Sequence, residues 1–453
     1  MSDVTSRSTA RSTGPLSSEV NSPWRPSVAY FRSAVVAVVI IMLALVDRRP
    51  DLLVIVTPLA VVTVWSLLTR PTSPPAFDEH LGHSTIREGE ATTWRGECSG
   101  VDEIDIAVAS IQPTPWMDTR PSSGVMTAGV VDGTSSLAID LRSTRWGSGP
   151  VGTVSVVAVS PWAGFRWSTM TTRHDLTTLP RPAPFDTDAS ARPSDGLIGQ
   201  HRSARAGEGN EFAGIRPFRA GDRMRRINWP RSVRTGELKV NSTWADLDTH
   251  VALLIDATDD FGVSEGIDGL ASSLDRAVRA AGAIAEYYAP RGDRVSLRTF
   301  GSAMTNSVRP GTGRIHLRRI LEALARVTPG NSRPASSTMV SRGSSGRTLL
   351  RFDAQLVVML SPLIAPDALD LAVELGRQGV AVIIVDTLPD HVIQDDDEYI
   401  ALAWRIRLLE RRRELRMVMA AGIPVVEWQG RGSLDQVIRD VSRRTSGPRM
   451  VPR

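Results

Sequence analysis

Two runs without a charged residue stand near the start of the chain, Ser33 to Val46 and Leu52 to Thr69, built mostly from Val, Ile, Ala and Leu. The polar turn Asp47-Arg48-Arg49-Pro50-Asp51 separates them, and neither run has a polar face, so the pattern predicts a helical hairpin over residues 28–69 rather than a buried pair in a soluble protein. A bilayer core about 30 Å thick needs about 20 helical residues. The second run is long enough, with Pro58 kinking it rather than ending it. The first reaches that length if Val28 to Arg32 extend it and Arg32 reaches up to the headgroups. A cleaved signal peptide is disfavoured, because no small-residue cleavage site follows and a second apolar run comes at once. Arginines 7, 11, 25 and 32 precede the hairpin and Arg70 and Arg87 follow it, against Arg48 and Arg49 in the turn. This distribution predicts a two-span, multi-pass protein of the cell membrane with both termini cytoplasmic.

After the stiff linker Pro71 to Pro75, residues 77–180 carry short alternating or β-branched runs such as Ile104–Ile111, Ser136–Leu141 and Val151–Val159, the pattern of a small antiparallel β-sandwich. His80 and His83 read as solvated loop residues, and the turn Ser160 to Phe165 as two aromatic anchors, Trp162 and Phe165, packed on a neighbouring domain. From His250 the pattern changes again. His250–Asp256, Arg294–Phe300, Leu356–Leu360 and Val380–Val385 read as strands, alternating with helices over Leu270–Tyr288, Ile315–Arg326 and Pro366–Gln378. Such alternation predicts a doubly wound sheet, whose ligands sit at the carboxyl ends of the strands. Ala401–Ala421 reads as a solvated amphipathic helix covering that sheet, with contact to anionic lipid as the alternative. Residues 1–27 and 431–453 read as unstructured tails, residues 330–348 as a flexible insertion and Arg181–Ser203 as a linker.

Composition narrows the function. The net charge is only +4, and every basic residue except Lys239 is arginine, so the balance does not single out a nucleic-acid tail. The lone Cys98 excludes an intrachain disulfide and a multi-Cys zinc site, and suits a reducing compartment. No phosphate-loop motif occurs. Gly262-Val263-Ser264-Glu265-Gly266 has the letters of a nucleophile elbow, but Ser264 falls well past Asp256, where the nearest predicted strand ends. No catalytic residue is assigned, and the expectation is a protein that is not an enzyme.

The densest segment runs from Glu211 and Phe212 through Gly214-Ile215-Arg216-Pro217-Phe218, Gly221-Asp222 and Arg225-Arg226-Ile227-Asn228-Trp229 to Arg234, Gly236, Glu237, Leu238 and Val240. Arginines interleaved with Phe218 and followed by Trp229 allow a phosphate or single-strand platform. Glu211 and Asp222 equally allow an internal network of arginine forks on carboxylates, the reading that weighs more. This ordered segment, over residues 204–245, resembles the signature of the bacterial family catalogued as domain of unknown function fifty-eight. Asn228 stands where that family usually carries Asp, and Pro230 and Val233 replace a basic residue and Ala. The hairpin, the Pro161–Phe165 turn and the C-terminal domain fit the same resemblance.

The resemblance implies that residues 246–430 form a von Willebrand factor A-like domain. Such domains often hold Mg²⁺ through oxygen ligands. Asp256 and Thr258 fit that pattern, Asp260 replaces a hydroxyl and Thr312 is the second-loop candidate, whereas no Asp follows the fourth strand, which ends Ser361-Pro362. The alternative is that Asp256 caps the next segment and the domain is a metal-free protein-binding platform. The resemblance further implies partnership with a MoxR-type AAA+ ATPase and a transglutaminase-like membrane protein, in assembly or maturation of envelope or other complexes. The expected function is a membrane-anchored, cytoplasm-facing interaction scaffold; nucleic-acid or anionic-lipid binding through Arg216 to Arg226 is the alternative.

Overall fold

The computed structural model describes residues 23–99, 104–131, 133–171, 174–181, 202–219, 222, 224–246, 250–302, 306–330, 354, 356–390, 392 and 398–428. Most of the first tail, the linker from residue 182, the insertion from residue 331 and the second tail lie outside the described residues. In chain order the first elements are β1 (Arg25–Pro26), α1 (Val28–Val46), α2 (Pro50–Leu68), β2 (Ala76–Leu81), β3 (Thr85–Arg87), β4 (Ala91–Ser99), β5 (Ile106–Pro113), β6 (Met117–Arg120), β7 (Val125–Gly129), β8 (Thr134–Ser143), β9 (Gly147–Pro150), β10 (Gly152–Val159), β11 (Phe165–Thr171) and β12 (Asp175–Leu179). They are followed by β13 (Arg202–Pro217), α3 (Trp229–Thr235), β14 (Lys239–Asp246), β15 (His250–Asp256), α4 (Ser273–Tyr288), β16 (Arg294–Phe300), β17 (Ser307–Gly311), α5 (Gly313–Leu324), β18 (Leu356–Ser361), α6 (Pro366–Arg377), β19 (Ala381–Asp386), α7 (Glu398–Ala420) and β20 (Val425–Glu427).

The chain divides into two compact units, and the strands of residues 77–180 are shared between them. Thr85–Glu90, Ser143–Gly149 and everything from Leu176 group with the C-terminal unit, and the rest forms the first.

In the first unit α1 and α2 are each 19 residues long, about 28 Å at 1.5 Å per residue, and both are long and apolar enough to cross a membrane. Their apolar side chains are mostly exposed, which is unlike the core helix of a soluble domain. Thr63 of α2 donates to Ser33 of α1 at 3.5 Å, and the residues buried on the two helices are Ala37, Ala44, Val56 and Ser66. Ser27 caps α1 by accepting the Tyr30 amide, and Pro50 opens α2 at a position where its missing N–H costs nothing. Two antiparallel sheets follow, in the orders β1-β11-β10-β5-β7 and β2-β4-β8-β6. Alternate residues of β4, β8, β5 and β10 are buried, so each sheet has one apolar face, and Phe77 of one sheet meets Trp167 of the other at 6.3 Å. Cys98 lies in this core, where burial pushes its thiol up to about 11.

The second unit is built on a six-stranded sheet, β17-β16-β15-β18-β19-β20, parallel except for the antiparallel edge strand β17. The central strands are fully buried apolar runs, as a sheet covered on both faces requires. One face packs under α4 and α5 through Leu274, Val278, Ile320 and Leu324, the other under α6 and Val418 of α7. A small sheet, β3-β12-β9, and the two-stranded ribbon β13-β14 complete the unit.

Candidate functional site

The signature segment folds as a ribbon with a knuckle. β13 and β14 pair antiparallel with register shifts up to Gly214, and then run in register from Ile215 opposite Asn241 to Pro217 opposite Lys239. Between the strands lie a single 3₁₀ turn at Met224–Arg226 and the helix α3. Arg216 forms a two-pronged pair with Asp222, Nη1 to Oδ2 at 2.7 Å and Nη2 to Oδ1 at 2.6 Å, and the Arg219 amide adds a third bond to Asp222 at 2.8 Å. The Arg216 hydrogen bonds hold the Asp222 carboxyl down to about 2 and raise the guanidinium in turn. Asn228 caps α3: its Oδ1 accepts the Arg231 amide at 3.1 Å while its Nδ2 donates to Asn241 Oδ1 at 2.9 Å. A carboxylate could make the first bond but not donate the second, so Asn241 is a fitting partner for asparagine here. Gly236 ends α3 with φ 70°, the left-handed residue such a stop needs.

Glu237 pairs with Lys239 at 2.9 Å at the surface, and that hydrogen bond lowers its carboxyl. Phe218 is half-buried and its amide bonds the Leu238 carbonyl at 2.9 Å; Arg225 is exposed and Arg226 half-buried. Glu211 and Phe212 lie on β13, Phe212 opposite Thr243, and Gly221 lies outside the described residues. The knuckle presents apolar side chains to the outside: Trp229 is 60% exposed, Val233 81% and Met224 78%, with Leu238 exposed beside Glu237. Trp229 and Val233 are one turn apart on α3, and Arg231 and Arg234 are exposed on the same helix.

The carboxyl edge of the large sheet is closed. Asp256, 4% exposed, ends β15; its Oδ1 accepts the Thr258 hydroxyl at 2.7 Å and amide at 3.1 Å, and its Oδ2 accepts the Ser361 hydroxyl at 2.6 Å. Burial pushes this carboxyl above its ordinary value, with the Ser361 and Thr258 hydrogen bonds opposing. Asp260 does not join it. Its carboxylate accepts the hydroxyls of Ser272 and Ser273, the Leu274 amide and Arg145 Nη2, all between 3.0 and 3.3 Å, so it caps α4. The expected second-loop ligand is also misplaced. Gly311 pairs with Val295, near the amino end of β16, while Asp256 pairs with Phe300 at the carboxyl end. Thr312 therefore lies about 16 Å away along the strands and about 10 Å across them. Among the described residues no three His, Cys, Asp or Glu side chains come together for a metal ion. The oxygens present do not fit Mg²⁺: both oxygens of Asp256 accept hydrogen bonds, and of its three expected partners Asp260 is occupied and Thr312 lies elsewhere.

Next to Asp256 the edge is filled by α7. Asp386, at the end of β19, pairs with Arg411, whose Nε also donates to the Pro362 carbonyl at 2.9 Å. Burial raises the Asp386 carboxyl against the pull of Arg411. Arg407 donates to the Ile364 carbonyl through both Nε and Nη2 and pairs with Glu414 at 2.9 Å. Val418 and the half-buried Leu415 of α7 pack on the sheet's second face and Arg411 is buried, whereas Tyr399, Leu402, Ile406 and Leu409 are exposed. Two clusters not singled out in the sequence belong to the second unit's polar core. Arg279 donates to both oxygens of buried Glu88, from Nη2 at 3.0 Å and from Nε at 3.2 Å, and Arg145 and the Trp146 indole both donate to Asp275. Ser264 lies in the loop before α4, and its buried hydroxyl has no hydrogen-bond partner among the described residues, hence no base beside it.

None of the curated proteins matches this chain. Residues 214–395, from the in-register end of the β13-β14 ribbon to beyond β19, match the family model described as "Protein of unknown function DUF58".

Proposed function

We propose that the chain is a membrane-anchored, cytoplasm-facing docking scaffold whose signature knuckle receives a protein partner. The observation that carries this is the exposure of Trp229 and Val233, with Met224 close in sequence, on a short helix locked by its own cap. Exposed aromatic and arginine side chains on a rigid support are the raw material of interface hot spots. The closed carboxyl edge supports the same reading, since its carboxylates are engaged by Ser361, Thr258 and Arg411. The order of the six-stranded sheet and the Asp256-Ala257-Thr258 corner support a von Willebrand factor A-like domain working without metal. From the family resemblance we take the partner to be a MoxR-type AAA+ ATPase, with a transglutaminase-like membrane protein as companion, in assembly or maturation of envelope or other complexes. Nucleic-acid or anionic-lipid binding through Arg216 to Arg226 is the weaker reading, because Arg216 is spent on Asp222.

Full-length chain captured from detergent extract should enrich an AAA+ ATPase. Trp229→Ala should weaken that capture by roughly 30-fold, the effect of losing about 2 kcal/mol at a hot spot, with stability changed by about 0.5 kcal/mol or less. Recovery of general membrane background alone, or capture untouched by Trp229→Ala, would count against the proposal.

A further inference from the structure

The turn between β10 and β11, Ser160-Pro161-Trp162-Ala163-Gly164, is strained and firmly held. Trp162 and Ala163 both adopt left-handed backbone, φ 63° and 54°, which residues with side chains avoid. The Ser160 amide donates to the Phe165 carbonyl at 2.9 Å, the Ala163 amide to the Ser160 carbonyl at 3.0 Å, and the Phe165 amide to the Ser160 hydroxyl at 3.0 Å. The same turn is bolted to the ends of the hairpin. Ser27 donates its amide to the Gly164 carbonyl at 2.9 Å and its hydroxyl to the Ala163 carbonyl at 2.5 Å. A side chain on Gly164 would come within 2.7 Å of Ser66, inside the last turn of α2. Phe165 points inward, 5.5 Å from the Tyr30 ring and under the Arg70 guanidinium. Trp162 does not pack as the second anchor expected of it; it is 65% exposed.

The close approach of Gly164 to Ser66 sets the level of the turn that carries this indole at the last turn of α2. Trp65 and Phe31, both exposed, belong to the same end of the hairpin, and Arg25, Arg32 and Arg70 flank it. Residues 33–64, which include the opposite turn, contain no aromatic side chain. Tryptophan collects at the boundary between headgroups and acyl chains, where an apolar ring with one polar N–H is best accommodated. We propose that Trp162 is a bilayer-interface anchor: its indole sits at headgroup level beside the end of α2 and fixes the depth and tilt at which the first unit rides. The strained backbone turns the ring outward to lipid instead of into the sheet. This inference rests on reading α1 and α2 as membrane spans.

The test uses the full chain in vesicles containing lipid brominated either just below the headgroup or near the chain end. Shallow bromine should quench Trp65 and Trp162. Trp162→Gly, which adopts positive φ freely, should hold or raise the thermal midpoint in detergent and remove the share of shallow quenching due to Trp162, while that of Trp65 stays. Trp162→Asn gives the same readout should glycine loosen the turn, since asparagine also tolerates this backbone. Quenching unchanged by either replacement, or a lost component that aqueous iodide had quenched instead, would overturn the anchor and leave the spans standing. Absence of any lipid quenching would overturn both.

Discussion

His174 is 3.3 Å from Glu79 Oε2, which also accepts the Trp94 indole N–H at 3.2 Å. The Glu79 carboxylate at this distance outweighs burial and raises the imidazole above its ordinary 6.5. A histidine whose folded value is raised stabilises fully below 6.5 and loses that contribution as pH climbs through the folded value. Urea midpoints of the full chain in detergent should therefore fall as pH rises above about 6.5, and His174→Gln should flatten that part of the profile. An unchanged slope would show that Glu79 does not hold the proton. In the sequence this histidine carried no signal, because its partner is far along the chain. Asp256 was legible as the polar end of an apolar strand; Ser361 was read only as the missing Asp, and its bond to Asp256 crosses 105 residues. Local pattern shows where a polar residue sits in its element and is silent on which distant element supplies the donor.

Among the elements, α7 brings a buried ion pair to the edge of the sheet. Beside Val418, the side of α7 turned to the sheet holds Arg407 and Arg411, which donate to carbonyls and a carboxylate at the sheet edge, and Glu414, which accepts from Arg407. Removing one member of a buried pair leaves the other uncompensated. Arg411→Met should cost about 3–5 kcal/mol in chemical unfolding, and pairing it with Asp386→Leu should recover most of that. Equal loss from single and double replacements would mean that the arginine acts by packing alone. The helical hairpin and the strand–helix alternation were legible because lipid-length apolar runs and buried parallel strands leave long, uninterrupted signals. The β13-β14 ribbon was not, since its length is set by cross-strand pairing and its register shifts erase alternation.

For the whole molecule, the two exposed apolar helices dominate behaviour in solution. A full chain held by them should stay in the membrane pellet through an alkaline carbonate wash and leave it only with detergent; recovery in the wash would remove the anchor from the scaffold proposal. The first unit also has a joint of unusual brevity. β1 pairs with β11, and a single residue, Ser27, separates it from α1, while the Trp24 indole is tied to the Ser73 carbonyl at 2.8 Å after α2. With so little slack on entry and the return path fastened, a torque on the sheet passes straight into the two helices.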